Sequence, residues 1–427
     1  MKNKLSLFSK KSNFIRFNRT VLDNGIRIIT EETPLSDTFA LGITINAGSR
    51  DDYENYTGLA HFLEHAAFRR SKKYNSSQIA NKFESMGAYT NAYTTQELTC
   101  FYVRALNTHF KKCLNLLLEI VFNPAFKRSE LEKEKQIIIE EIKSYEDDPE
   151  ELILDLGDKL IFGEHPLGYP ILGFSDTVMN IDEPVLQDFH QKYYNAANTT
   201  ISFSGNIGHK TIVAEIQKAQ DKIQNNNIIL PVRISPVYNS TKIFETKKSV
   251  QQGHLLLGKP VTSSRDLSKY AFSLLNIIFG DGLSSRLYQN LRDKYGITYS
   301  IYSTLQLYSD SGIFYVYSAT DKKNIDKTRN LILQEIDKLS VIKDSELKRA
   351  KEQFKTGLIM DLESLSSRMQ TLAKAELIDG YHETSKEISD RIDNVTKDDI
   401  YQILDKYFIN TETYQTTIIP EKKSISR

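Results

Sequence analysis

Apolar residues recur along the chain with two different periods. A period of two, typical of strands, alternates with a period of three to four, typical of helices. In the first half the strand-like stretches are 21–32, 38–52, 89–106 and 198–208, and the helix-like stretches are 57–68, 76–88, 129–147 and 210–224. Similar stretches recur between residues 254 and 364. The pattern predicts two halves of about 200 residues each that both combine strands and helices, as a duplicated α/β unit would.

Residues 225–241 separate the two halves, because this stretch is polar, carries two prolines and lacks a helical period. We predict that it is a linker between a first domain at 20–224 and a second domain at 242–427. The basic start, residues 1–19, precedes the first strand-like stretch and is predicted to be a disordered lead.

Charge and cysteine content exclude several classes of protein. The 55 basic residues balance the 55 acidic ones, which argues against nucleic acid as a partner. The only cysteines, Cys100 and Cys113, form neither a disulfide framework nor a CxxC metal site. No apolar run approaches the length of a membrane span, and the start lacks a secretory apolar core. A cytoplasmic protein is the preferred interpretation, with an organelle matrix as the alternative.

The run GLAHFLEHAAF contains two histidines and a glutamate within five residues. In a helix starting near a Thr57 N-cap, His61 and His65 lie one turn apart on the same face, where one Zn²⁺ can bind both imidazoles. Glu64 is close enough to take a proton from an attacking water molecule. The alternative interpretation is an ordinary helix with chance polar residues, which the local apolar character disfavours.

A third ligand is required, and the helix predicted at 129–147 offers candidates. Glu134 and Glu141 are two turns apart and share a face with isoleucines, whereas Glu140 points elsewhere. A carboxylate among isoleucines is unfavourable unless it is paired or binds a metal. The pattern alone leaves open that all three glutamates are solvated.

These motifs together resemble the pitrilysin family of zinc peptidases, which carries the inverted H-x-x-E-H motif. The resemblance is closest to the short branch that includes the mitochondrial processing peptidase, and it covers nearly the whole chain. The segments that carry it are LDNGIRI, AGSRDD, GLAHFLEHAAF, TNAYTTQELT, EKEKQIIIEEIKSYEDDP, HPLGYPILG and SSRLYQNLRDKYGITYS. One difference is AAFRRS after the second histidine, where members often carry Met or Leu and a Gly-Thr turn.

The resemblance implies specific roles in the first domain. The family's third ligand is a glutamate about 75 residues after the second histidine, and Glu141 lies 76 residues after His65. Glu134 then corresponds to a glutamate that orients a ligand histidine. One Zn²⁺ per chain is implied, with Glu64 as the general base. Residues Asn91, Ala92 and Tyr93 match an edge strand on which an extended peptide substrate is added.

In the second domain, the resemblance assigns Arg292 and Tyr299 to substrate binding and to stabilisation of the oxyanion. Family members with four such domains form a clamshell, and this chain has two. The resemblance therefore implies an α+β fold of two similar domains, each a mostly antiparallel sheet packed with helices, which forms half of a dimeric clamshell. A homodimer is the simplest arrangement, since both motifs are on one chain, and a heterodimer with a degenerate homologue is the alternative.

The sequence favours a zinc-dependent endopeptidase that hydrolyses unfolded peptides inside an enclosed chamber. The first alternative is a non-catalytic scaffold, like the respiratory core subunits that share this fold. Such subunits tend to lose the motif residues that this chain retains. The second alternative is a targeting-peptide processing peptidase that works with a partner subunit, but the glycine-rich loop of that partner is not recognisable here.

Overall fold

The computed structural model describes residues 16–223, 230–409 and 411–421. Residues 1–15 of the predicted lead and residues 225–229 of the predicted linker therefore lie outside the described residues. Residues 230–241 form neither helix nor strand. The strand β1 (Arg16–Val21) corrects the sequence prediction, because residues 16–19 pair with the next strand instead of belonging to a disordered lead.

The first half contains six strands and eight helices among the described residues. The other strands are β2 (Arg27–Glu32), β3 (Thr38–Ile45), β4 (Tyr89–Thr94), β5 (Thr99–Leu106) and β6 (Thr199–Gly205). The helices are α1 (Leu59–Arg69), α2 (Ser76–Glu84), α3 (Phe110–Phe122), α4 (Arg128–Asp147), α5 (Pro149–Phe162), α6 (Ser175–Asn180), α7 (Glu183–Tyr193) and α8 (His209–Ala219). The strands form one sheet in the order β1-β2-β6-β3-β5-β4, so that β4 is an edge strand.

The second half repeats this arrangement with five strands and six helices in its described part. The strands are β7 (Ile243–Lys248), β8 (Gly253–Val261), β9 (Thr298–Leu307), β10 (Gly312–Thr320) and β11 (Tyr414–Pro420). The helices are α9 (Lys269–Phe279), α10 (Ile325–Asp337), α11 (Asp344–Asp361), α12 (Leu365–Lys374), α13 (Ser385–Asn394) and α14 (Lys397–Tyr407). The sheet order is β7-β11-β8-β10-β9. Among the described strands only β2–β6 and β7–β11 pair in parallel, which confirms two similar, mostly antiparallel halves.

Each sheet buries its two faces against different helices. Because side chains alternate along a strand, Leu255 and Leu257 face the helices of their own half, whereas Leu256 faces the opposite way. Helix α5 of the first half covers that opposite face, with Ile153 buried beside Tyr315. Reciprocally, helix α12 of the second half covers the first sheet. The two halves therefore exchange one helix each.

The described residues include no helix that is both long enough and apolar enough to cross a lipid bilayer.

Candidate metal centre

Helix α1 carries the HFLEH motif at the edge of the first core. Leu59, Phe62 and Leu63 are fully buried and fix the orientation of the helix. One helical turn apart, His61 and His65 have ring centroids separated by 4.5 Å. Glu64 is only 8% exposed, so the motif belongs to a buried surface.

The start of α1 differs from the prediction. The N-cap residue is Gly58 and not Thr57, whose hydroxyl group instead lies 2.9 Å from that of Thr177. Gly58 has φ of +91°, which glycine adopts without strain. A Cβ at this position would also overlap the carbonyl oxygen of Leu172. The carboxylate of Asp52, in the segment just before the helix, caps it by accepting hydrogen bonds from the first backbone amides.

Helix α4 brings Glu141 to the two histidines. Its Oε2 atom lies 3.9 Å from His61 Nε2 and 3.8 Å from His65 Nε2. One candidate ligand atom from each residue can be chosen so that all three lie within 4.8 Å of one another. Glu140 is instead directed into solvent, where its side chain is 72% exposed and pairs with Lys143. The geometry thus brings together the three predicted ligands.

Glu134 is buried behind His65 and orients its imidazole ring. Its Oε1 atom is 2.9 Å from His65 Nδ1, while its other oxygen pairs with Arg69. Burial raises the pKa of Glu134, but the bonds from His65 and Arg69 outweigh burial and leave that pKa lowered. A carboxylate here favours a proton on His65 Nδ1, which leaves Nε2 free to act as a ligand.

The two histidines have different electrostatic surroundings. Burial, together with the nearby imidazole of His65, lowers the pKa of His61 to about 3, so the ring is neutral at physiological pH. Burial also lowers the pKa of His65, but the bond to Glu134 and the surrounding carboxylates outweigh burial and raise it. His61 Nδ1 is buried and has no hydrogen-bond partner among the residues that the structure describes. A neutral imidazole is the form that binds a metal.

Glu64 is held by a residue that the sequence did not single out. Thr94 on β4 donates a hydrogen bond of 2.5 Å to Glu64 Oε2. Thr94 and Ala92 lie on the same face of the strand, and helix α1 packs against this strand. Burial raises the pKa of Glu64 despite the bond from Thr94. A carboxyl with a raised pKa is suited to accept and release protons near neutral pH.

The donor set fits zinc. Two imidazole nitrogens and one carboxylate converge, which is the ligand type and number of a catalytic zinc site that keeps one position open. A hydrogen-bonded carboxylate behind one histidine also matches the support that such ligands usually have.

Comparison with known proteins agrees with this geometry. A family model described as "Insulinase (Peptidase family M16)" matches residues 27–174, and one described as "Peptidase M16 inactive domain" matches residues 180–354. The chain is 32% identical over 403 residues to the "Uncharacterized zinc protease YmxG" of Bacillus subtilis, covering 94% of this chain and 97% of that protein. The chain belongs to peptidase family M16, the insulinase family.

One further relative is also named a zinc protease, and two solved structures share the fold. An "Uncharacterized zinc protease" of Rickettsia felis is 33% identical over 401 residues, covering 93% of this chain and 96% of that protein. A protease from Helicobacter pylori and an M16 inactive-domain protein from Pseudomonas fluorescens share the fold, with TM-scores of 0.87 and 0.89 and 20% identity in each case. These structures cover 95% and 96% of this chain, and the chain covers 100% and 99% of theirs.

The remaining predicted site residues of this M16 chain do not all meet at the metal centre. Asn91, Ala92 and Tyr93 lie on the edge strand β4, where Asn91 Oδ1 accepts a 2.9 Å hydrogen bond from the Ala92 amide. Arg292 lies in a π-helical segment and Tyr299 on β9, the edge strand of the other sheet. Within the described residues, no hydrogen bond or ion pair joins either of these two to the metal centre.

Proposed function

We propose that this M16 chain is a zinc-dependent endopeptidase that cleaves unfolded peptides. The observation that carries the proposal is the convergence of His61, His65 and Glu141 beside a buried Glu64. Relatives of similar length are named zinc proteases, which supports the same reaction class.

The mechanism assigns a separate task to each residue. His61, His65 and Glu141 would hold the zinc ion, and Glu134 would keep His65 in the required tautomer. When bound, zinc supplies a Lewis acid that polarises the peptide carbonyl and lowers the pKa of water. Glu64 accepts the proton of the attacking water and transfers it to the leaving amine, while the bond from Thr94 fixes its carboxylate.

The substrate is proposed to bind as an additional strand at β4. This edge is unpaired among the described residues, so an extended peptide can add to its backbone. A peptide on β4 would have to displace Asn91 from the Ala92 amide or share that amide with it. Because an extended backbone is needed, folded proteins are poor substrates, and unfolded peptides are the expected class.

We propose that the functional unit is a homodimer. Tyr299 is 57% exposed at the edge of the second sheet, and Arg292, seven residues earlier, is also exposed. If a second copy closes over the metal centre, its Arg292 and Tyr299 supply the groups that bind substrate and stabilise the oxyanion. Closure would also form the enclosed chamber. We propose the cytoplasm as its location.

The decisive experiment is the Glu64→Gln substitution. Glutamine keeps the shape of the side chain but cannot accept the proton, so cleavage of an unfolded peptide should fall about 10²–10⁴-fold while zinc remains bound. Glu140→Gln is the matched control, since this exposed glutamate is on the helix of Glu141 but points away. Unchanged cleavage by Glu64→Gln would refute the mechanism. A zinc-loaded wild type that cleaves no peptide would favour the scaffold alternative.

Mixing two inactive variants tests the homodimer. A Glu64→Gln chain and a Tyr299→Phe chain each lack one function, but a mixed dimer contains one complete site if Tyr299 acts across the interface. Mixing equal amounts, with exchange of subunits, should restore about a quarter of the wild-type rate. If the mixture is no more active than its components, Tyr299 does not act on the partner's site.

A further inference from the structure

Three consecutive residues before the zinc helix contact three different parts of the molecule. Arg50 contacts the second half, Asp51 contacts the segment between the halves, and Asp52 contacts helix α1. Arg50 and Asp51 are both buried. The segment therefore joins the metal centre to the contact between the two halves.

Asp52 fixes the start of helix α1. Its Oδ2 atom accepts hydrogen bonds from the amides of Gly58 at 2.7 Å and Leu59 at 3.2 Å, and its Oδ1 atom accepts one from Ala60 at 2.8 Å. The first amides of a helix have no partner inside the helix. A single carboxylate thus holds the first turn of α1, and His61 is the next residue after Ala60.

Arg50 extends this connection to the second half. Its guanidinium group makes a bidentate contact with Asp310, with distances of 2.8 and 2.7 Å, in the turn between β9 and β10. The same group donates to Glu97 at 2.8 Å. Glu97 in turn accepts hydrogen bonds from Ser309, at 2.8 Å from its amide and 2.6 Å from its hydroxyl group.

Asp51 extends the connection to the segment between the halves. Arg233 donates to Asp51 Oδ2 at 2.7 Å and to the carbonyl oxygen of Glu97 at 2.7 Å. Buried charges tolerate little displacement, because a buried charge that loses its partner is strongly unfavourable. A shift of either half would therefore move the segment that holds helix α1.

We infer that Asp52 is a positioning residue for the zinc site and that Arg50 and Asp310 make its position depend on the pairing of the two halves. The inference rests on the proposed function, since it concerns the ligands on α1. Arg50, Asp52 and Asp310 then affect metal binding as well as the stability of the fold. Zinc affinity and catalysis in the first half become sensitive to a residue of the second half that contacts neither metal nor substrate.

The test uses the full-length chain with Asp52→Asn, Asp310→Asn and the control Glu346→Gln. Glu346 forms a comparable half-buried pair with Arg286, within the second half. Zinc affinity is measured by competition with a chromogenic chelator. Asp52→Asn should weaken it about 10–100-fold, and Asp310→Asn about 10-fold, as for residues that orient ligands. The control should stay near the wild type. The kcat should fall with zinc affinity, with little change in KM.

Hydrogen exchange of the amides at 58–69, in metal-free protein, separates this inference from the proposed function. Asp310→Asn should accelerate exchange there more than Glu346→Gln does. The inferred coupling between the halves is overturned if Asp310→Asn matches the control in both hydrogen exchange and zinc affinity. The positioning role of Asp52 is overturned if Asp52→Asn matches the control in both measurements. Should Asp52→Asn fail to fold, Asp310→Asn still decides the coupling. A wild type without zinc affinity refutes the proposed function, while exchange still tests the positioning.

Discussion

The two halves of the chain have the same framework but differ in what their corresponding helices bury. Without β1, the order β2-β6-β3-β5-β4 matches β7-β11-β8-β10-β9, and the parallel pair occurs at the same place. Helix α1 packs against α4, and α9 packs against α11. In the first half this helix pair buries His61, Glu64 and Glu134. The buried residues of α9 are aliphatic or aromatic.

This difference separates what the fold requires from what the site requires. Burying imidazole and carboxyl groups is unfavourable unless they find partners. Since the second half forms the same sheet with an apolar helix, the framework does not need these groups. The second half is thus an internal control for the first, and it indicates that packing does not require the donors of α1 and α4.

Removing a ligand should give the largest effect. His65→Ala and Glu141→Gln should each abolish stoichiometric zinc binding, because a catalytic site has only three protein ligands. Glu134→Gln should weaken zinc affinity about 10–100-fold, since the ligand His65 remains but loses its orienting carboxylate. Elemental analysis and chelator competition measure both effects.

Glu140→Gln serves as the control of this series and should bind zinc like the wild type. Zinc retained in Glu141→Gln would show that another carboxylate is the third ligand, and it would remove the main difference between the halves.

The exchanged helices predict the next largest effect. Met369 of α12 is fully buried against Ala40 and Cys100 of the first sheet. Met369→Ala should lower the free energy of unfolding by about 2–5 kcal/mol, because it leaves a cavity. Met360→Ala on the preceding helix is the control, since Met360 is 63% exposed and its loss should change stability by at most about 0.5 kcal/mol. If Met369→Ala and Met360→Ala lowered the free energy of unfolding equally in urea denaturation, the packing of α12 on the first sheet would be contradicted.

Asp158 on the other exchanged helix, α5, should make the stability of the protein depend on pH. Burial raises the pKa of Asp158 to about 8, and Tyr315 donates a 2.6 Å hydrogen bond to it. The folded protein therefore holds a proton that the unfolded chain releases near pH 4, so stability falls as the pH rises from 4 to 8. Asp158→Asn cannot ionise and still accepts the bond from Tyr315.

At pH 8 the Asp158→Asn variant should be more stable than the wild type by roughly a few kcal/mol. The difference should shrink towards pH 4, as measured by urea denaturation across this range. Asp405 is exposed, so the Asp405→Asn variant is the control for replacing an aspartate without changing a buried group. A constant difference between pH 4 and pH 8 would mean that Asp158 is already ionised in the folded state.

Local patterns predicted the parts of the site that depend on helix geometry. The i, i+4 spacing brings His61 and His65 together, and the seven-residue spacing puts Glu134 and Glu141 on one face. Periodicity also predicted most strands of both halves, but it missed β7, β11 and most of β1. Selecting Glu141 from among three glutamates required the family resemblance, because the pattern left solvated glutamates as an alternative.

Contacts that depend on the folded arrangement of the chain were beyond such patterns. The cap of α1 comes from Asp52, because the left-handed Gly58 leaves Thr57 outside the helix. Thr94 reaches Glu64 only once β4 is paired at the sheet edge. The amphipathic patterns of α5 and α12 indicate that each helix buries one face, but periodicity does not specify which sheet receives it.

The exchanged helices also bear on how the protein is made. During synthesis the first sheet emerges from the ribosome well before residues 365–374, which cover its second face. Until then Ala40 and Cys100 lack their cover. A nascent chain that has reached only the linker therefore presents an open apolar face. Fragments divided at the linker should each be poorly soluble alone and should recover when they are produced together.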